Sequence, residues 1–214
     1  QKNGIDLAAL PMKKWFDTNY HYIVPRIEAD TTPALVGTKI IDEYLEAKAL
    51  CIETRPRLIG PYTFLRLCSY REGVDREKLT VKLSDAYCTL LDRLSRAGVR
   101  EVQLDEPALV LDMDEGDTAL FTWLWTPLSK RAARPALLLQ TMYGDVRDAW
   151  QALCTIKIEA LGLDFVAGEK TLDLVASTAW PRGRRLVAGI FDARSPWRDD
   201  ERALQTLVDH LSTL

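Results

Sequence analysis

Two carboxylates stand side by side in EVQLDEPALV, at Asp105 and Glu106, just ahead of Pro107. A pair of carboxylates can divide acid and base work when their surroundings push their protonation apart. Here the two are sequential, and successive residues of a strand point to opposite faces. Asp105 therefore shares a face with Gln103, and Glu106 joins it only if the backbone turns between them. A second group lies in KKWFDTNYHYIVP, Lys13 to Pro25. Lys14 offers an ammonium, Asn19 an amide and His21 one of the chain's 2 imidazoles, among the rings of Trp15, Phe16, Tyr20 and Tyr22. A core segment has no use for those polar groups and a solvent loop none for those rings, which leaves the purpose of the mixture open. GIFDARSPWRDD, Gly189 to Asp200, adds Asp192, Arg194 and Arg198. Its arginines are able to clamp an anion; equally, Ser195 or Asp199 caps a following helix whose first turn holds Pro196. Gly60, which closes a strand ahead of PYTFLRLCSY, marks either a plain turn or a close backbone approach at a rim.

These side chains need a scaffold, and the chain supplies one by repetition. Apolar runs of strand length alternate with segments of helical period about six times, with no Gly/Ser/Pro-rich linker between them. The strands are expected at His21 to Pro25, Arg57 to Gly60, Glu101 to Asp105, Ala136 to Gln140, Leu163 to Ala167 and Leu186 to Ile190. Helices are expected over Thr38 to Leu50, Glu77 to Ala97, Asp117 to Lys130, Asp145 to Ile156, Lys170 to Ala176 and Asp199 to Ser212. In the second helix Leu79, Leu83, Ala86, Tyr87, Leu90, Leu91 and Leu94 make one apolar stripe, and Gly98 follows as a stop. ALLLQ and LVAGI are apolar without alternation, as strands covered on both faces of a parallel sheet are. Serial units of this kind build either a doubly wound open sheet or a (β/α)8 barrel, with functional side chains at the carboxyl ends of the strands. About six units are visible where a closed barrel needs eight.

Composition narrows the rest. At 214 residues, 47% hydrophobic, 28% charged and a formal net charge of -3, the chain is expected to be a single globular domain over 1–214. No apolar run reaches the roughly 18 to 20 residues that span a bilayer, and QKNGIDLAAL lacks the pattern of a signal peptide, so a cytoplasmic location and no membrane partner are expected. Cys51, Cys68, Cys88 and Cys154 are widely spaced and read as reduced, buried thiols. The basic clusters SKRAAR and PRGRRL lack interleaved rings and read as solvated turns, so no nucleic-acid partner is expected. His210 falls near the end of the last helix, where it favours the helix dipole. The glycine-rich dinucleotide fingerprint, the phosphate-binding loop, the serine elbow and the zinc-protease motif are all missing from the sequence.

MKKWFDTNYHYIVP, GPYTFL, VQLDEPALV and AGIFDARSPWR, in that order from about Leu10 onward, resemble the N-terminal barrel of cobalamin-independent methionine synthase. The resemblance implies a (β/α)8, TIM-barrel-like fold, incomplete here, in a family that pairs two such barrels. That family moves a methyl group from 5-methyltetrahydrofolate polyglutamate to homocysteine. It implies that Lys14 and Asn19 bind the glutamate tail of the folate, with His21, Asp105, Glu106 and Arg194 as candidate rim residues. The family's zinc ligands come from its second barrel, so this chain is expected to bind no cofactor of its own and to be inactive alone. The resemblance also implies that the first two β-α units, with a folate-binding segment, are missing. Arg26 stands where the family usually has a glutamate. The expected partners are folate polyglutamate and the catalytic barrel, or a second copy joined through open sheet edges. The other readings are an oligomeric binding or structural relative, and a stand-alone enzyme using Asp105, Glu106 and His21.

Overall fold

The computed structural model describes residues 9–178 and 180–213. Its strands are β1 (Met12–Lys14), β2 (His21–Ile23), β3 (Arg26–Ile27), β4 (Arg57–Ile59), β5 (Ser69–Tyr70), β6 (Glu101–Asp105), β7 (Ala136–Gln140), β8 (Ala160–Asp164) and β9 (Arg185–Gly189). Its helices are α1 (Lys39–Ala49), α2 (Pro61–Leu67), α3 (Arg76–Arg96), α4 (Glu115–Lys130), α5 (Trp150–Thr155), α6 (Thr171–Ser177) and α7 (Glu201–Leu211). The centre is a parallel sheet of 5 strands in the order β4-β6-β7-β8-β9.

Register explains why these strands stay together. Leu58, Leu104, Leu139, Leu161 and Leu186 pair in one row on the face that the helices cover. Ile59, Asp105, Gln140, Gly162 and Val187 form the matching row on the other face. That second face is concave. Glu101 of β6 forms ion pairs with both Arg55 ahead of β4 and Arg185 of β9, although β7 and β8 lie between β6 and β9. A flat sheet holds such strands roughly 14 Å apart, so the sheet is curled as a barrel wall is. The fold is α/β, an incomplete (β/α)8-like barrel.

The helices start where local chemistry says they should. Asp75 accepts from the Lys78 N–H at the start of α3, and Gly98, at φ 84°, ends the following turn. Asp114 and Asp117 form a reciprocal capping box on α4. The last helix is capped by Asp200, which accepts from Arg202 and Ala203, rather than by Ser195 or Asp199.

Several expectations need correction. Of the expected strand His21 to Pro25, His21–Ile23 is extended, as β2, and it pairs antiparallel with β1 in a small hairpin apart from the central sheet, because the chain reverses through Phe16 to Asn19. The fifth expected strand sits three residues earlier, at β8, because the Asp164 carboxylate accepts from the Val166 and Ala167 N–H groups and turns the chain there. PYTFLRL, to which no helix is assigned above, forms α2 directly after β4. The basic clusters are only partly solvated. The side chain of Arg134 is 9% exposed and clasps Glu159, while Arg184 is buried and donates to the Leu153 and Ile156 carbonyls behind α5. All four cysteines are free, and Cys51 is exposed rather than buried.

Candidate functional site

The hairpin β1–β2 carries the residues of the first motif. Cross-strand pairing sets Lys14 directly opposite His21, and Lys13 opposite Tyr22. Alternation then gives the hairpin two characters. Trp15 packs edge-on to Tyr22 at 5.7 Å and to Phe16 at 5.1 Å, all three partly buried. Lys14 and His21 are exposed together on the other side, and Asn19 is exposed in the turn. The turn is held by the Thr18 hydroxyl, which donates to the Trp15 carbonyl at 2.5 Å, and by the Trp15 N–H, which donates to the Tyr20 carbonyl at 2.7 Å. Among the described residues no carboxylate lies within ion-pair distance of Lys14 or His21. Arg26 is paired with Glu28 at 2.7 Å.

The hairpin rests on the carboxyl ends of the sheet strands. Phe16 stacks on Tyr143, in the loop after β7, with centroids 5.5 Å apart and planes 22° from parallel. Both rings hang on left-handed backbone, at φ 49° and φ 77°, which costs a bulky residue about 1–2 kcal/mol each. Tyr143 is held by its N–H, which donates to Asp164 at 2.8 Å. Asp164 thus gathers the loops after β7 and β8 with one carboxylate. Beside this stack is a cavity of about 190 Å³ whose lining includes Gln140, Tyr143, Asp164, Phe191 and Arg194. Arg194, in the loop after β9, approaches Asp17 of the hairpin at 3.5 Å and Asp192 at 3.6 Å. Arg198 pairs with Glu201 instead, so the two arginines do not converge on one anion.

Asp105 and Glu106 diverge as strand alternation requires. Asp105 is buried on the concave face, where Arg57 donates to it and Gln103 donates at 2.8 Å. Glu106 is fully buried on the other side, against the N-terminus of α2. It accepts from the Tyr62 N–H at 3.1 Å, the Thr63 N–H at 2.6 Å and the Trp125 indole N–H at 2.8 Å. A distant carboxylate thus caps a seven-residue helix whose own cap position, Gly60, has no side chain. Burial pushes the Glu106 carboxyl up to about 7, against the opposing pull of the hydrogen bonds from Thr63, Trp125 and Tyr62. Of the two readings of Gly60, a plain turn or a close approach, the structure has a close approach, and it is of the Glu106 side chain. His21 joins neither carboxylate in a hydrogen bond or ion pair among the described residues.

The described residues do not fit zinc. Among the described residues no three His, Cys, Asp or Glu side chains are grouped to hold a metal. The Cys68 thiol donates to the Phe64 carbonyl at 3.1 Å, and burial pushes it up to about 11, the reverse of a metal-binding thiolate. No helix of the described residues is long and apolar enough to cross a membrane.

Tyr143 and Asp164 are not among the residues that the sequence singles out. Both follow or close a strand at its carboxyl end, so the rim rule that selected Asp105 applies to them too. Neither lies in one of the four motifs, and the stack joins residues far apart in the chain.

The family described as cobalamin-independent synthase, N-terminal domain, matches residues 3–214. A 5-methyltetrahydropteroyltriglutamate–homocysteine methyltransferase of Streptococcus thermophilus is 44% identical over 203 residues, 94% of this chain and 27% of that protein. Its counterpart in Lactococcus lactis subsp. cremoris is 40% identical over 209 residues, 98% of this chain and 28% of that protein. The chain thus spans little more than a quarter of these relatives. Among solved structures, a B12-independent methionine synthase from Shewanella in complex with selenomethionine matches with a TM-score of 0.70 at 19% identity. That match covers 98% of this chain and 65% of that one, and bears on the fold alone.

Proposed function

The chain belongs to the family of cobalamin-independent synthase N-terminal domains, and from that premise we propose that its hairpin binds the anionic tail of a folate polyglutamate. The name of the relatives specifies a triglutamate substrate, whose tail is a short run of carboxylates. The observation that carries the reading is the pairing of Lys14 with His21 on the exposed side of β1–β2, with no acid of the described residues neutralising Lys14. An ammonium on a fixed strand pair, with an imidazole opposite and the Asn19 amide at the turn, suits successive carboxylates. The partly buried rings of Trp15, Phe16 and Tyr22 keep the backbone beneath these groups in one geometry.

In this reading residues 1–214 act as one domain that binds and scaffolds. The transfer of a methyl group to homocysteine, with the zinc that would activate the thiol, belongs to the length of the relatives that this chain does not span. Asp105 and Glu106 support no stand-alone acid-base reaction here: they face opposite ways, and each is engaged in structural hydrogen bonds. The test is a binding titration with tri- and monoglutamyl 5-methyltetrahydrofolate. Lys14→Ala should weaken triglutamate binding about tenfold and monoglutamate binding much less. Equal losses for both ligands, or none for either, would contradict the assignment.

A further inference from the structure

We propose that Tyr143 is a positioning residue: its ring is the seat that registers the β1–β2 hairpin over the carboxyl end of the sheet and so places Lys14 for the tail. The proposal rests on the reading of Lys14 given above, but its structural half stands on geometry alone. Among the described residues the hairpin meets the loops after β7 and β9 through two contacts, while its Tyr22 hydroxyl reaches the Leu67 carbonyl at the end of α2 at 3.5 Å. One is the Asp17–Arg194 approach at 3.5 Å, in which the Asp17 side chain is 92% exposed; so open an ion pair holds little. The other is the Phe16–Tyr143 stack, partly buried and nearly parallel. It is also the contact for which the backbone is bent. Phe16 and Tyr143 are two of the 3 non-glycine residues with positive φ among the described residues, and they are the pair that touch. A left-handed tyrosine persists where its surroundings hold it. Here Asp164 holds it by the backbone N–H at 2.8 Å, while Phe16 takes the ring. Asp164, Tyr143 and Phe16 therefore form a continuous link from β8 to the hairpin that bears Lys14.

Left-handed backbone gives an unusual test, since glycine is the residue that prefers φ 77°. Tyr143→Gly removes the seat while relieving the backbone, and Tyr143→Phe keeps the ring. In the whole chain, amide hydrogen exchange would be followed over residues 10–24 and over β6 to β8, together with the melting temperature and triglutamate affinity. The proposal expects Tyr143→Gly to speed exchange of the hairpin amides at least tenfold, leave the β6 to β8 amides and the melting temperature at or above wild type, and weaken triglutamate binding. Tyr143→Phe should match wild type in all respects. Hairpin exchange unchanged in Tyr143→Gly overturns the proposal, whatever the ligand does. A loosened hairpin with triglutamate affinity unchanged from wild type also overturns it. A loosened hairpin in a chain that binds neither folate form even as wild type supports the seat and removes the reading of Lys14 instead.

Discussion

A Cβ on Gly60 would stand 2.2 Å from the Glu106 carboxylate. The glycine at the end of β4 and the glutamate after β6 are thus one device: the missing side chain makes room for a carboxylate that caps α2 from the end of the neighbouring strand. Gly60→Ala should force Glu106 off the Tyr62 and Thr63 N–H groups and lower stability by about 2 kcal/mol or more. Urea unfolding followed by far-UV circular dichroism measures it, and a loss under about 0.5 kcal/mol would mean that the cap is unimportant.

The same carboxyl makes stability depend on pH. Its folded pKa of about 7 lies above the ordinary 4.5, so between those values the folded chain keeps a proton that the unfolded chain has released. Glu106 therefore contributes stability that is fully present below about pH 4.5, falls as pH rises through that window, and is flat above about pH 7. The drop is on the order of 3 kcal/mol. Glu106→Gln, which does not titrate, should lack this component, so wild-type stability minus variant stability should fall steadily between pH 4.5 and pH 7 and be constant above it.

Asp164 offers a local test. Asp164→Ala removes the acceptor of the Tyr143, Val166 and Ala167 N–H groups. Destabilisation of about 2 kcal/mol is expected, with faster hydrogen exchange concentrated in the loops after β7 and β8. Exchange that rises evenly through the whole sheet would instead assign Asp164 a global role.

Gly162 predicts a change on the concave face. A Cβ there would lie 2.0 Å from the Gln140 amide oxygen, so Gly162→Ala must push the Gln140 side chain out of its place across β8. The expected cost is about 1–3 kcal/mol. Gly162→Ala combined with Gln140→Ala should recover most of it in a double-mutant cycle.

Much of this was legible from the sequence, and the exceptions share a cause. The β4, β6 and β7 strands, the apolar stripe of α3 and the Gly98 stop follow from periodicity and local chemistry, which act over a few residues. The α2 helix did not show itself because its cap, Glu106, is 44 residues away in the chain. Likewise β2 reads as a sheet strand because HYIV has the composition of one, while its true partner is fixed by the reversal at Phe16 to Asn19. Lys14, Asn19 and His21 were visible as a mixed group. Tyr143 and Asp164 were not, since the stack and the shared carboxylate exist only once the loops after β7 and β8 meet.

The most direct test of the central claim is the salt dependence of triglutamate binding to the unmodified chain, read by tryptophan fluorescence, with Trp15 among its reporters. Binding through Lys14 to a run of carboxylates should weaken steeply as salt rises over the range where the Debye length shrinks from about 30 Å to about 8 Å. The monoglutamate should bind more weakly and with a shallower slope. Affinities for the two forms that are equal and indifferent to salt would contradict the account.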